Sequence, residues 1–221
     1  MAGITLISAT PSPFARMNRI ALMEKGIPFN IRNEIPWHVN ETETPKYNPL
    51  EKLPILLFDD GRDPVYDSAH IQEYIVQKYA DKAPSLLTGD LDTDLKARQI
   101  LTLSEGILDA FVLAAFEGMR DQSKQSELWL ARQNRKIDGG LKALSKLAQE
   151  RPTGQDYLLG NVLTIADIAV VCTVTQIEFI KTRPVAELYP ELKKYCEKLE
   201  ERQTFKETTP YMFDLNSETV V

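Results

Sequence analysis

The stretch Thr10-Pro11-Ser12-Pro13-Phe14-Ala15-Arg16 places a serine and a proline where a strand pattern gives way to a helical one. Ser12 suits the cap of that helix and Pro13 its first position, and the local sequence by itself favours this structural role. The same geometry serves chemistry. A helix N-terminus carries partial positive charge and free N–H donors, and a hydroxyl there can lower the pKa of a bound thiol below about 8.5. A second site is Asn48-Pro49-Leu50-Glu51-Lys52-Leu53-Pro54-Ile55-Leu56. Its proline opens a buried strand, which marks a special peptide (cis is one form) and leaves the Leu53 backbone free to pair outside a sheet. Lys52, the neighbour, can meet a carboxylate. The third site is Tyr66-Asp67-Ser68, at the head of another helical stripe. Asp67 can hold an ammonium group, and Ser68 with the helix N-terminus a carboxylate, although a plain capped helix would use the same residues.

Short alternating elements must position these sites. Gly3–Ala9 reads as a strand, Pro13–Lys25 as a helix stopped by Gly26, and Pro28–Arg32 as a second strand. Pro36–Asn48 is irregular with room for one short helix. Pro54–Phe58 is a buried strand, Asp59-Asp60-Gly61 turns into a short strand ending at Tyr66, and Ser68–Tyr79 carries Ile71, Tyr74, Ile75 and Tyr79 on one stripe. After Pro84 the strands vanish. Leu95–Met119, Leu128–Leu147, Ile165–Ile180 and Leu188–Leu199 read as helices, with Thr164-x-x-Asp167 as a capping box. The expected fold is therefore α/β plus all-α: a βαβ–ββα unit followed by a helical domain.

In such a unit, residues 12 and 15 are where a thioredoxin-like redox pair would sit. Here they are serine and alanine, so a reacting thiol must come with the ligand. The 221 residues carry 26 basic and 32 acidic side chains, a net charge of −6, which argues against nucleic acid. The longest nearly apolar run, Ile165–Val174, holds Asp167 and is too short for a membrane span. The start, MAGITLISAT, lacks the features of a signal peptide. Cys172 and Cys196 cannot form a disulfide scaffold, which points to a reducing, cytoplasmic setting. His38, His70 and the cysteines lack ligand spacing, so no metal is expected. His70 reads as a surface residue, and both cysteines as buried small hydrophobes.

Taken together, SPFARMNRIALMEKGIPF (12–29), NPLEKLPILLFDDG (48–61), YDSAHIQEYI (66–75), LTIADIAV (163–170) and RQTFKETTP (202–210) resemble a cytosolic glutathione transferase of the serine type. They are similar to the plant tau class and related fungal and bacterial members. The resemblance implies a thioredoxin-like glutathione-binding domain at 1–82, a linker at 83–91 and an all-helical domain at 92–221. It implies that Ser12 donates to the glutathione sulfur, with Thr10 as the fallback hydroxyl. Phe14 borders that site. Leu53, before a cis Pro54, would pair with the cysteinyl backbone, Asp67 and Ser68 would receive the γ-glutamyl end, and Lys52 and His38 the glycyl carboxylate. Thr164 and Asp167 would serve folding.

Asp67 departs from the more frequent glutamate of that family and is one methylene shorter, so its contact is expected to use water. The tyrosine and cysteine mechanisms of other classes are absent. For a hydrophobic second-substrate pocket the candidates are Phe111, Ala115, Met119 and Trp129. As a helical stripe these read mostly as core, and Tyr211 in the tail is the better edge of the pocket. The expected activity is conjugation of the glutathione thiolate to small hydrophobic electrophiles, by a homodimer. The alternatives are a glutathione-dependent peroxidase on the same site and a non-catalytic ligand-binding or regulatory protein of this fold.

Overall fold

The computed structural model describes residues 3–37 and 41–213. Strand β1 (Ile4–Ser8) is the middle of a three-stranded sheet, parallel to β2 (Asn30–Asn33) and antiparallel to β3 (Ile55–Phe58). A parallel neighbour requires a crossover, supplied by α1 (Pro13–Glu24). Gly26, at φ +61°, ends α1 in the left-handed region that glycine tolerates. A four-residue helix, α2 (Thr44–Tyr47), precedes β3, and α3 (Ser68–Lys78) follows it. Leu6, Leu56, Met17, Ile20, Ile71 and Ile75 are fully buried between sheet and helices. Lys25, at the end of α1, donates through Nζ to the Tyr79 and Lys82 carbonyls at 2.9 and 3.0 Å, tying α1 to the end of α3.

Two expected strands differ. The second starts at Asn30 rather than Pro28, because a proline has no N–H to give a ladder. The fourth contracts to one bridge, in which Val65 and Leu56 exchange N–H···O bonds of 2.9 Å each. Gly61 at φ +80° and Pro64 leave only Val65 able to pair.

The helical half consists of α4 (Leu91–Gly118), α5 (Glu127–Gln149), α6 (Ile165–Phe179), α7 (Val185–Leu188), α8 (Pro190–Glu200) and α9 (Gln203–Lys206). The short α9 has no counterpart in the sequence expectation. Helix α6 is apolar on all sides, as befits the centre of a bundle, and nearly every one of its residues is buried. Among the described residues, α4 is the one helix long and apolar enough to cross a membrane, with a window of mean hydropathy 1.5. The sequence expectation weighed only the run Ile165–Val174 and passed over this window, which Glu105 and Asp109 interrupt. Here α4 lies in the bundle, with Ala97, Leu101, Leu108 and Phe111 buried.

Two side-chain forks join the halves. Arg16 on α1 grips Glu200 on α8 with bonds of 3.0 and 2.7 Å, and Arg202 grips Glu24 on α1 at 3.0 and 2.6 Å. Such bidentate pairs add directional specificity to their charge. They fix α1, and with it the turn at Ser12, against the helical half.

Helices α4 and α5 approach closely at Gly140, where an added Cβ would lie 2.3 Å from Ile107 Cγ1. That atom is near the root of a branched side chain, so the helices themselves would have to move. Gly140→Ala should cost about 1–3 kcal/mol through overpacking, measurable as a lowered urea midpoint.

Candidate active site

Three chain segments meet at one end of the sheet. The β1 strand runs out at Ser8 into the turn at Ser12, whose N–H donates to the Ala9 carbonyl at 3.0 Å. Ser12 caps α1 as its sequence suggests, its oxygen accepting the Ala15 N–H at 3.2 Å. Because a hydroxyl both accepts and donates, that cap leaves the Ser12 proton free. Capping and donation to a ligand are thus compatible roles rather than rivals. Thr10 is buried, with its hydroxyl unpartnered, whereas Ser12 is half-buried and reachable.

Strand β3 begins at the same end, since it runs antiparallel to β1 with Ile7 opposite Ile55 as the last pair. Leu53 lies beyond that ladder, and the Leu53–Pro54 peptide is cis. Its neighbour Lys52 is exposed, and the Lys52 carbonyl accepts from Asn48 Nδ2 at 2.9 Å.

Helix α3 brings the third segment. Asp67 caps it, Oδ1 accepting the His70 N–H at 3.3 Å. The N–H groups of the first turn beyond that cap have no partner within the helix and point at the open end. Ser68 is buried, and its hydroxyl donates to the Phe14 carbonyl at 3.2 Å while accepting from Asn18 Nδ2 at 3.0 Å. These bonds clamp the head of α3 to the head of α1. Ser12, Phe14, Asp67 and Ser68 are therefore gathered around two helix N-termini, with Leu53 and Lys52 along the strand edge. His38 lies outside the described residues.

The expected apolar pocket is redistributed. Phe111 is core, but Ala115, Met119 and Trp129 are exposed, against the expectation that this stripe is mostly buried. The reason is length. Helices α4 and α5, of 28 and 23 residues, are about 42 and 35 Å long, against about 23 Å for the 15 residues of α6. The last turns of α4 and the first of α5 project past the helix that would cover them. There the aromatic contacts are Trp37 with Phe116 (centroids 6.0 Å, 86°) and Trp37 with Phe213 (5.7 Å, 86°). Both are edge-to-face arrangements, worth about 0.5–1.5 kcal/mol each beyond area burial. Trp37 and Phe116 stay about half exposed, at 54% and 48%. Trp37 follows β2, whose end adjoins the Ser12 turn through the Glu34 N–H bond to the Ser8 carbonyl (2.9 Å). Tyr211 is exposed, and Phe213 rather than Tyr211 meets this aromatic group. Trp37 and Phe116 carry no periodic sequence signal linking them, being joined only by the fold.

His70 is exposed and both cysteines are buried free thiols, as expected. Burial pushes Cys172 up to about 12 and Cys196 well above its ordinary value, so neither supplies a thiolate at neutral pH. Among the described residues no group of histidine, cysteine and acidic side chains forms a metal site.

Comparison with known proteins gives the same outline. Residues 11–78 match the glutathione S-transferase N-terminal domain family and residues 109–207 the C-terminal domain family. The uncharacterized GST-like protein YibF of Escherichia coli (strain K12) is 34% identical over 211 residues, covering 93% of this chain and 98% of YibF. The crystal structure of a glutathione S-transferase from Methylobacterium radiotolerans, in complex with glutathione sulfonate, has a TM-score of 0.88. It is 40% identical and covers 98% of this chain and 99% of that one. A glutathione S-transferase from Methylobacillus flagellatus, with glutathione bound, has a TM-score of 0.85 at 26% identity, covering 95% and 100%.

Proposed function

This chain belongs to the glutathione S-transferase family, and from that premise we propose that it conjugates glutathione to small hydrophobic electrophiles, with Ser12 as hydrogen-bond donor to the sulfur. The observation that carries this reading is the Ser12 hydroxyl, whose oxygen takes the Ala15 N–H and whose own proton is left for a ligand. The glutathione thiol gives up its proton to solvent. The thiolate then attacks an electrophilic carbon, a carbon–sulfur bond forms, and the leaving group departs with the bonding pair. The protein orients and stabilises the thiolate and forms no covalent bond.

Around that step, the first-turn N–H groups of α3 at Ser68 receive the γ-glutamyl carboxylate, and Asp67 faces its ammonium. The Leu53 backbone ahead of Pro54 pairs with the cysteinyl unit, and Lys52, with His38, receives the glycyl carboxylate. Phe14 walls the cysteinyl side. We assign the domain limits 1–82 and 92–221, with the linker between them. We also assign a homodimer in a cytoplasmic setting. Leu50 and Leu95, 65% and 64% exposed, provide apolar surface for the dimer on the two halves. A stable monomer at micromolar concentration in sedimentation would overturn the dimer.

The test is conjugation of glutathione to chlorodinitrobenzene, run beside calorimetric glutathione binding and turnover with organic peroxides. Conjugation supports the reading. Tight glutathione binding without turnover of any electrophile or peroxide would reduce the protein to a binding module. For the second substrate, the exposed Trp37 and Phe116 rings replace Phe111 as the pocket we assign, with Ala115, Met119 and Tyr211 at its rim. Trp37→Ala should raise the KM for chlorodinitrobenzene about threefold to tenfold and leave that for glutathione unchanged, the size of one aromatic contact. An equal rise in both constants would place Trp37 outside the pocket.

A further inference from the structure

Glu34 directly follows β2 and has no part in the roles above. Its backbone N–H donates to the Ser8 carbonyl at 2.9 Å, which pins it to the strand end that leads into the Ser12 turn. Its side chain is only 7% exposed. Oε2 accepts from the Thr42 hydroxyl at 2.5 Å, the Glu43 N–H at 2.9 Å, the Thr44 N–H at 2.9 Å and the Thr44 hydroxyl at 2.8 Å. Oε1 pairs with Arg32 Nε at 3.0 Å. Arg32 also pairs with Glu43 at 3.2 Å, and its guanidinium lies over the Tyr47 ring of α2, 5.2 Å from the centroid.

The Glu34 carboxylate replaces a helix cap. Helix α2 opens on Glu43, whose side chain makes no cap bond, and carries Pro45 in its first turn, which has no N–H. The N–H groups left at its head, those of Glu43 and Thr44, both end on Glu34. The chain from 34 to 44 is thereby closed at its base, as in compact loops whose ends are held together by their own side chains. This loop carries Trp37, whose ring crosses to Phe116 on α4 and Phe213 in the tail. The ring is 54% exposed and has no core of its own around it, so its place follows the base of the loop.

We propose that Glu34 is the positioning residue of the second-substrate pocket. It ties the Trp37 loop to the strand end that leads to Ser12, and so sets where the aromatic wall stands relative to the attacking thiolate, without touching either substrate. The assignment rests on the pocket assigned above to Trp37 and Phe116 and adds the residue that controls it. The chemistry requires a carboxylate, because every group that meets this side chain is a donor and a carboxylate only accepts. Glutamine keeps the shape but turns an NH2 group toward those donors, which opens the base of the loop.

The test is a double-mutant cycle on the full chain, read by conjugation kinetics and by fluorine spectra of fluorotryptophan-labelled protein. The sequence has two tryptophans, Trp37 and Trp129, and the Trp37 resonance is the one lost in Trp37→Ala. Glu34→Gln should shift or broaden the Trp37 resonance well beyond that of Trp129, with or without turnover. Its KM for chlorodinitrobenzene should rise about threefold to tenfold, as in Trp37→Ala, and the double variant should rise no further than Trp37→Ala alone. Thr42→Val, at an exposed residue, removes one donor and should give a smaller rise that also vanishes without Trp37; it carries the test if E34Q does not fold. A Trp37 resonance unmoved in both variants overturns the assignment whatever the activity. So does an E34Q effect on KM that persists in full beside Trp37→Ala, or an equal change at both tryptophans, since either marks a general loosening of the fold. If the Trp37 resonance responds to E34Q but Trp37→Ala leaves the KM unchanged, the pocket reading is what fails, and the role of Glu34 in the reaction falls with it while its hold on the loop stands.

Discussion

Replacing Ser12 by alanine should lower kcat/KM for conjugation of glutathione to chlorodinitrobenzene about 10²–10³-fold, while glutathione binding weakens less than about threefold. The separation follows from the geometry. The γ-glutamyl and cysteinyl contacts assigned to Asp67, Ser68 and Leu53 do not involve residue 12, so binding survives. In the proposed role the Ser12 hydroxyl would meet only the sulfur, where its bond would strengthen as the thiol becomes a thiolate. A pH profile distinguishes this from a structural effect. In the wild type the pKa governing kcat should lie below about 8.5, and in Ser12→Ala it should return toward that free-thiol value. Loss of the cap should cost about 1 kcal/mol of stability, visible as a lower melting temperature. Ser12→Thr keeps both cap and hydroxyl and should recover most of the rate. A Ser12→Ala enzyme with wild-type kcat and an unshifted profile would remove Ser12 from the chemistry, leaving the buried Thr10 as the remaining hydroxyl on this turn.

The second large effect concerns folding. Asp167→Ala should destabilise the protein by about 3–5 kcal/mol in urea unfolding, or prevent folding at physiological temperature. Asp167 is fully buried at the start of α6. Its Oδ2 accepts the Thr164 N–H at 2.7 Å and the Thr164 hydroxyl at 2.8 Å, which closes the capping box. Its Oδ1 accepts the Leu158 N–H at 2.9 Å and the Tyr195 hydroxyl. One side chain thereby joins the loop before α6, the cap of α6 and helix α8. Alanine would strand these donors without water or partner, and each buried unsatisfied group costs about 1–3 kcal/mol. Asp167→Asn, which keeps the volume and one acceptor, should lose less. An alanine variant within about 1 kcal/mol of the wild type would show that the loop can turn its donors to solvent.

The elements that carry the three motifs were legible because each rests on short-range causes. Ser12 and Pro13 are adjacent, the capping box spans four residues, and the helical stripes repeat within a turn. The missing sulfur at residues 12 and 15 was equally plain. Strand limits were less legible at Pro28 and Pro64, where one absent N–H shortens the ladder. Burial along the stripe from Phe111 to Met119 was not legible at all, since it depends on how far α6 extends beside α4.

The sequence by itself thus determined the fold class, the order of α/β and helical halves, and the residue types set at each helix N-terminus, all local matters of periodicity and capping. Only the tertiary structure decided which of them face one another. Arg16 and Glu200 are 184 residues apart in sequence and share a bidentate bond. Trp37 meets Phe116 and Phe213 although no period links them. Such contacts arise from long-range packing, in which burial and charge at one residue are set by side chains far away in the chain.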